Sequence, residues 1–473
     1  MTPEEFREAG HRLIDWIADL RTGIEELPVL AQVEPGEIRA RFEPDPPEAT
    51  VGFGELLDEL NHEILPGVTQ VQHPMHFGWF PSNASLSSVL GDIASSGIGS
   101  LGISWESSPA LTEVEEVVCD WMRALVGLSP AWAGTIHDTA STSCLVALLV
   151  ARERATDLAQ NRGGTQAVES PLVVYSTSES HSSVAKAALL AGFGWDNIRQ
   201  VETDPVTRAM IPESLDAAML ADRSAGKIPT AVVATGGSSA TTAFDPVAAI
   251  VDVAGRHDAF VHVDAAMAGS AMLLPEMRHL WAGVEGADSI TWNPHKWMGT
   301  ILDTSLFYMC DIDLLQRVMS TNPSYLQSAS DGAVTQFRNW GIPLGRRFRA
   351  LKILFQLRLD GIESIRDRLR RDLENARWLE SKVREADEWE LCAPVVLQTV
   401  CVRHRPAGVD ADDLDHHTLG WVRAINRSGE ALLTPSKLDG RWMARVSIGV
   451  EATERRHVQR LWALMQETAT SFL

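Results

Sequence analysis

The chain has 473 residues, 45% hydrophobic and 22% charged, a globular composition long enough for one large core and at least one smaller one. Its formal net charge of −22 argues against non-specific binding to nucleic acid or to an anionic membrane. No run of about 18 apolar residues occurs, so no membrane span is expected.

From the N-terminus, Thr2-Pro3-Glu4-Glu5 predicts a helix start, with a threonine cap, proline at the first helical position and a glutamate to return the cap. Phe6, Leu13, Ile14, Ile17 and Leu20 then form one stripe. A lone helix cannot bury that stripe without the body of the protein or a second subunit. The acidic start is unlike a secretory signal. Five scattered cysteines (Cys119, Cys144, Cys310, Cys392, Cys401) lack metal-ligand spacing. They read as buried small hydrophobes in a reducing compartment, which points to the cytoplasm, and no metal is expected. The proline-rich stretch 42–47 predicts an extended connector.

From about residue 85, short apolar strands alternate with helices. Predicted strands are Leu172 to Tyr175, Ala231 to Ala234, Phe260 to Asp264, Ser289 to Trp292 and Ser305 to Met309. Helices such as Leu145 to Ala151 and Val247 to Ala254 fall between them. Strands apolar throughout need cover on both faces, so the class is α/β with a large, mostly parallel sheet. Ligands of such sheets sit at the carboxyl ends of the strands. After Gly345, Ile362, Ile365, Leu369, Leu373, Ala376, Leu379 and Val383 mark one buried helix face. Strands at Val395 to Val402 and Trp442 to Ile448 and a closing helix predict a small α+β domain. The expected division is an N-terminal helical segment (1–84), a large domain (85–355) and a small C-terminal domain (356–473).

Chemistry concentrates at two strand ends. Asp264 closes one strand, and Lys296 follows the next in Asn293-Pro294-His295-Lys296-Trp297. A lysine is ordinarily a solvated surface charge. An amine held near a carboxylate at such ends, however, suits pyridoxal 5′-phosphate. The amine joins the aldehyde as an imine, and the carboxylate keeps the pyridine nitrogen protonated. Asp138-Thr139-Ala140-Ser141-Thr142-Ser143-Cys144, leading into an apolar helix, offers N–H groups and hydroxyls to a phosphate. Such a cluster is more often only a helix cap.

His-Val-Asp-Ala-Ala-Met-Ala-Gly-Ser (262–270) followed by Asn-Pro-His-Lys-Trp (293–297) resembles the pyridoxal-phosphate-dependent group II amino-acid decarboxylases, most closely the aromatic-L-amino-acid decarboxylase branch. The similarity runs through nearly the whole chain, including Phe80-Pro81-Ser82-Asn83, Ser104-Trp105-Glu106-Ser107-Ser108-Pro109 and Ile342-Pro343-Leu344-Gly345-Arg346-Arg347-Phe348. The resemblance implies the pyridoxal-phosphate-dependent transferase fold (fold type I). It also implies an obligate homodimer, with the N-terminal segment across the partner and the active site at the subunit interface.

By the same resemblance, Lys296 carries the cofactor, Asp264 meets the pyridine nitrogen, His181 stacks on the ring and Ala266 covers its other face. Ala140, Ser141 and Asn293 are the implied phosphate contacts, and Ser239 stands where the family commonly has Thr. Thr142 departs from a commoner Glu. His295 has either a structural hydrogen-bonding role beside Lys296 and Asn293 or a direct chemical one. Tyr325, in Pro323-Ser324-Tyr325-Leu326, is the implied acid that protonates the carbon after CO2 leaves; a Phe there is associated with aldehyde formation. Trp79, Phe80, Pro81, Ile103 and Met267 are apolar pocket walls, poor partners for a buried charge. Tryptophan, phenylalanine or tyrosine is therefore favoured over an acidic amino acid, and a medium aliphatic one stays open. Arg445 either approaches the α-carboxylate or makes a structural ion pair.

The expected activity is decarboxylation of an L-amino acid to CO2 and an amine. The alternatives are an aldehyde synthase, an aminotransferase, a decarboxylase of aliphatic or acidic amino acids, and a non-catalytic homologue used as a scaffold.

Overall fold

The computed structural model describes residues 1–321 and 332–472. They form two compact units, one of residues 82–374 with 393–399, the other of residues 1–81, 375–392 and 400–473.

The larger unit is built on a seven-stranded sheet of β1 (Ala133–His137), β2 (Leu172–Ser176), β3 (Ile198–Gln200), β4 (Ile228–Thr235), β5 (Phe260–Asp264), β6 (Ser289–Trp292) and β7 (Ser305–Met309). The order is β1-β7-β6-β5-β4-β2-β3. Pairings from β6 through β5, β4 and β2 to β3 are parallel, whereas β7 runs antiparallel to both β1 and β6. β2, β5 and β7 are buried at every residue, as strands covered on both faces must be. Val146, Leu148, Val174, Ala188, Val233 and Phe307 belong to one core joining helices Ala140–Ala155 and Ser182–Leu190 to the sheet. Each fully buried Val, Leu or Phe there contributes about 1.5–3 kcal/mol.

All five predicted strands are present, and the sheet has two more. β1 escaped the pattern because Gly134, Thr135 and His137 dilute its hydrophobicity. Gly134 is required there, since a Cβ would lie 2.4 Å from the Tyr308 ring. β3 is a three-residue edge strand, too short for a period. Helix Leu86–Ile98 packs along helix Ala350–Leu359. Gly91 makes this approach possible, because a Cβ would stand 2.5 Å from the Leu351 carbonyl oxygen.

In the smaller unit, helix Pro3–Thr22 begins with the predicted reciprocal cap: Glu5 N–H donates to Thr2 Oγ1 and Thr2 N–H to Glu5 Oε2. Ala9 is its buried residue, and Phe6 is 66% exposed. A four-stranded sheet of β8 (Trp389–Leu391), β9 (Thr399–His404), β10 (Thr434–Leu438) and β11 (Arg441–Ser447), in order β10-β11-β9-β8, carries helix Ala411–Ser428. Cys119, Cys144 and Cys401 are buried thiols as expected. Cys310 is exposed and Cys392 half-buried, against the expectation of burial. No helix among the described residues is long and apolar enough to cross a membrane.

Candidate active site

Asp264 ends β5, level with Thr235 of β4 and Thr291 of β6. It is buried, its Oδ1 accepts the Ala266 N–H at 3.0 Å, and its carbonyl accepts the Gly236 N–H at 2.8 Å. The next strand delivers Lys296. Asn293 N–H donates to the Ala266 carbonyl at 2.8 Å, tying together the loops that follow β5 and β6. Lys296 N–H then donates to the Asn293 carbonyl at 3.0 Å, and Asn83 Nδ2 donates to the Lys296 carbonyl at 3.2 Å. With φ −97° and ψ −108°, the Lys296 backbone departs from the turn around it. Ala266 is half-buried between the buried Ala265 and Met267, so the strand-end surface opens at that methyl.

His181 caps helix Ser182–Leu190 from the loop after β2; its Nδ1 faces the Ser183 N–H at 3.2 Å and the Ser183 hydroxyl at 2.7 Å. Accepting that backbone N–H leaves the proton of the neutral ring on Nε2. Partial withdrawal from water and the nearby Lys296 ammonium depress its pKa, against the pull of the Asp264 carboxylate. His181 thus lies within electrostatic reach of both Lys296 and Asp264. His295 is buried, and its Nδ1 accepts the Thr304 N–H at 3.0 Å. Burial, with Lys296 next, lowers its pKa to about 4, so it is a neutral imidazole.

Helix Ala140–Ala155 supplies a helix N-terminus close by in the chain from β1. Its cap residue Thr139 is extended and makes no side-chain cap bond, leaving first-turn N–H groups available for an anion. Asn293 is buried, and its Oδ1 has no hydrogen-bond partner among the described residues. Rotating that amide would present an N–H donor instead. Ser239 is half-buried in the loop after β4. That loop meets the one after β5 at Gly237 (φ +89°), where a Cβ would fall 2.4 Å from Ala268 Cβ.

The expected pocket residues Trp79, Phe80, Pro81 and Arg445 belong to the smaller unit, and Ile103 to the larger. Trp79 is 54% exposed in a left-handed conformation (φ 48°), its N–H donating to Thr434 Oγ1 at 2.6 Å. Buried Arg445 donates to the Trp79 carbonyl and lies 4.1 Å over the Phe80 ring, and burial draws its pKa down to about 10. Tyr325 lies outside the described residues. Asn83 is a contact that sequence reasoning left without a role. Its motif was visible, but nothing local signals a bond to a carbonyl 213 positions away.

These residues fit pyridoxal phosphate. A buried carboxylate suits a protonated pyridine nitrogen, a half-buried amine suits the aldehyde, and an uncapped helix start with an unsatisfied buried amide suits the phosphate. Together, fold and site define a pyridoxal-phosphate enzyme built on a large, mostly parallel sheet. The pattern described as the pyridoxal-dependent decarboxylase conserved domain matches residues 35–405, and the chain belongs to that family. It is 38% identical to a phenylacetaldehyde synthase of Arabidopsis thaliana, over all of this chain and 97% of that protein. It is 36% identical to tryptophan decarboxylase 2 of Oryza sativa subsp. japonica, over all of this chain and 96% of the relative. The crystal structure of Oryza sativa TDC with PLP and tryptamine superposes with a TM-score of 0.96 at 35% identity, covering all of this chain and 99% of that one.

Proposed function

We propose that this enzyme decarboxylates an aromatic L-amino acid to its arylalkylamine, using Lys296, Asp264, His181 and Tyr325. The observation that carries the reading is that Asp264 and Lys296 follow the neighbouring parallel strands β5 and β6, whose loops are tied by the Asn293 N–H to Ala266 carbonyl bond, with His181 in electrostatic reach of both. Pyridoxal phosphate bound there supplies an electron-accepting ring that makes loss of the α-carboxylate as CO2 feasible. Lys296 would hold the cofactor through its side-chain amine. The buried Asp264 carboxylate would favour a proton on the pyridine nitrogen, an anion stabilising a cation away from water. His181 and Ala266 would hold the bound ring between them, the small Ala266 side chain leaving it room. Ala140, Ser141, Asn293, Ser239 and His295 complete the cradle.

Tyr325 Oη delivers a proton to the α-carbon after CO2 departs, and this separates amine from aldehyde production. In the resembled family a Phe at this place accompanies aldehyde formation, so the tyrosine favours the amine. The apolar character of Trp79, Phe80, Pro81 and Ile103 supports an aromatic side chain. In Tyr325→Phe we expect amine formation to fall far more than cofactor binding, with aldehyde, ammonia and hydrogen peroxide rising as dissolved dioxygen is consumed. An unchanged amine rate would remove Tyr325 from the reaction. Arylalkylamine and CO2 from tryptophan, phenylalanine or tyrosine, against none from glutamate, is the expected substrate panel; aldehyde from the unaltered enzyme would overturn the decarboxylase reading.

We also infer a homodimer. Phe6, Leu13 and Ile14 of the first helix and Leu86, Leu90 and Ile93 of helix Leu86–Ile98 are exposed, apolar surface of the kind a second copy covers. Light scattering tests it, with a monomer as the refuting result. Free thiols fit a reducing setting and support a cytoplasmic location, to be checked by cell fractionation.

A further inference from the structure

Lys352 is one of the most deeply buried charged groups in the chain, 1% exposed, yet it lies outside the set assigned to the reaction. It sits on helix Ala350–Leu359 one turn before Gln356, so the two side chains share a face. That face meets the segment joining Lys296 to β7. Gln356 Nε2 donates to the Met298 carbonyl at 3.1 Å and its Oε1 accepts from Thr300 Oγ1 at 2.6 Å. Lys352 Nζ donates to the carbonyls of Leu302 and Asp303 at 3.2 and 3.3 Å, and lies 3.4 Å from Asp303 Oδ1 and 3.3 Å from Asp92 Oδ1. Arg349 holds the other Asp303 oxygen at 2.9 Å, and Arg347 holds Asp92 at 3.1 Å. The residue following Asp303 is Thr304, whose N–H donates to His295 Nδ1.

A buried ammonium is a costly fastener, since an apolar side chain of equal volume often serves stability as well. What the charge adds here is direction, because one cation gathers two carbonyls and a carboxylate of a single dipeptide. We propose that Lys352 is a positioning residue for the reactive lysine: by gathering residues 302 and 303 it aims the Thr304 N–H at His295, fixing that imidazole with its proton on Nε2 beside Lys296. This deepens the reading of Lys296 as the cofactor-bearing residue and rests on it. The charged and titratable groups facing Lys352 are Asp92 and Asp303 with their arginine partners, and His295 with Lys296 beyond it.

The test compares holoenzyme of the unaltered chain, Lys352→Met and Lys352→Arg. The pH midpoint of the bound cofactor's visible absorption, its dissociation rate and thermal unfolding are read in parallel. Removing a nearby cation favours protonation, so Lys352→Met is expected to raise the midpoint by about half a pH unit or more and to speed cofactor loss about tenfold. Lys352→Arg should return the midpoint toward the unaltered value. A Lys352→Met enzyme that titrates like the unaltered one and loses only thermal stability would overturn the proposal. If Lys352→Met does not fold, Asp303→Asn keeps the ammonium and removes part of its anchor. It is expected to move the midpoint downward, and an unmoved midpoint refutes the proposal equally. Borohydride fixation followed by peptide mapping separates the two levels. Cofactor fixed to Lys296 in the unaltered protein upholds the underlying reading whatever the variants do, and cofactor fixed elsewhere overturns it and this proposal with it.

Discussion

In the proposed mechanism Asp264 is the residue on which the electronics turn, and its surroundings say why an amide would not replace it. One oxygen is committed to the Ala266 N–H, so the carboxylate is oriented before any ligand arrives. Asp264→Asn keeps shape and hydrogen bond but loses the charge. We expect kcat to drop by about 100-fold or more, with thermal stability little changed, because preorganised charge of this kind is worth several kcal/mol. A kcat within about threefold of the unaltered enzyme would remove the carboxylate from its role. At this scale the sequence was informative where partners are close along the chain: Asp264 and Lys296 stand in short, dense motifs, and His181 in another. It was silent where partners are distant. Asn83 reaches Lys296 across 213 positions and Lys352 reaches Leu302 across 50; Asn83 stands in a visible motif and Lys352 in none, and in neither case does anything local name the distant partner.

Among the elements, β1 shows how a weakly apolar strand is held. Glu115, on helix Pro109–Val126, is 1% exposed and accepts from Arg346 Nη2 at 2.5 Å, Thr135 Oγ1 at 2.9 Å and the Ile136 N–H at 2.8 Å. The guanidinium of Arg346 also bonds the Ile136 carbonyl at 3.0 Å and lies over the Phe337 ring. This charged brace replaces the side-chain burial that Gly134 cannot provide, and β1 leads directly into helix Ala140–Ala155. Glu115→Ala leaves a buried guanidinium without its anion, so we expect a loss of about 3–5 kcal/mol in urea unfolding. Cofactor affinity should weaken as well, since the helix start is tied to β1. A loss below about 1 kcal/mol would contradict this account. The basic run at Arg346 and Arg347 looked like a family signature in the sequence; its structural use depends on an acid more than 200 positions away and could not be read there.

For the whole molecule, buried histidines set the response to acid. His76, His137, His262 and His295 are each lowered to about 4, chiefly by burial, whereas the unfolded chain titrates them near 6.5. The unfolded state therefore binds more protons between these values. Their contribution is complete above about pH 6.5 and is lost as pH falls toward 4. Asp245 acts oppositely: burial raises it to about 6, so it favours the fold in acid and loses that advantage as pH rises through 6. The histidines outnumber Asp245, so the net expectation is stability that declines as pH falls from about 6.5 toward 4. Denaturant midpoints measured from pH 7 to 4 check this; a flat or rising profile would contradict it. At this scale, alternating apolar strands and helices revealed the α/β class because parallel strands must be hydrophobic throughout. The antiparallel direction of β7 left no mark in composition.

That reversed strand has a consequence for motion. β7 runs back along β6, and the segment between them that carries Lys296 is pinned by the amides of Asn293, Lys296, Ile301 and Thr304. Amides tied in this way are expected to open rarely, leaving substrate entry to other segments. Deuterium uptake should find those four amides among the slowest in the protein; rapid labelling there would mean the ribbon breathes with each turnover.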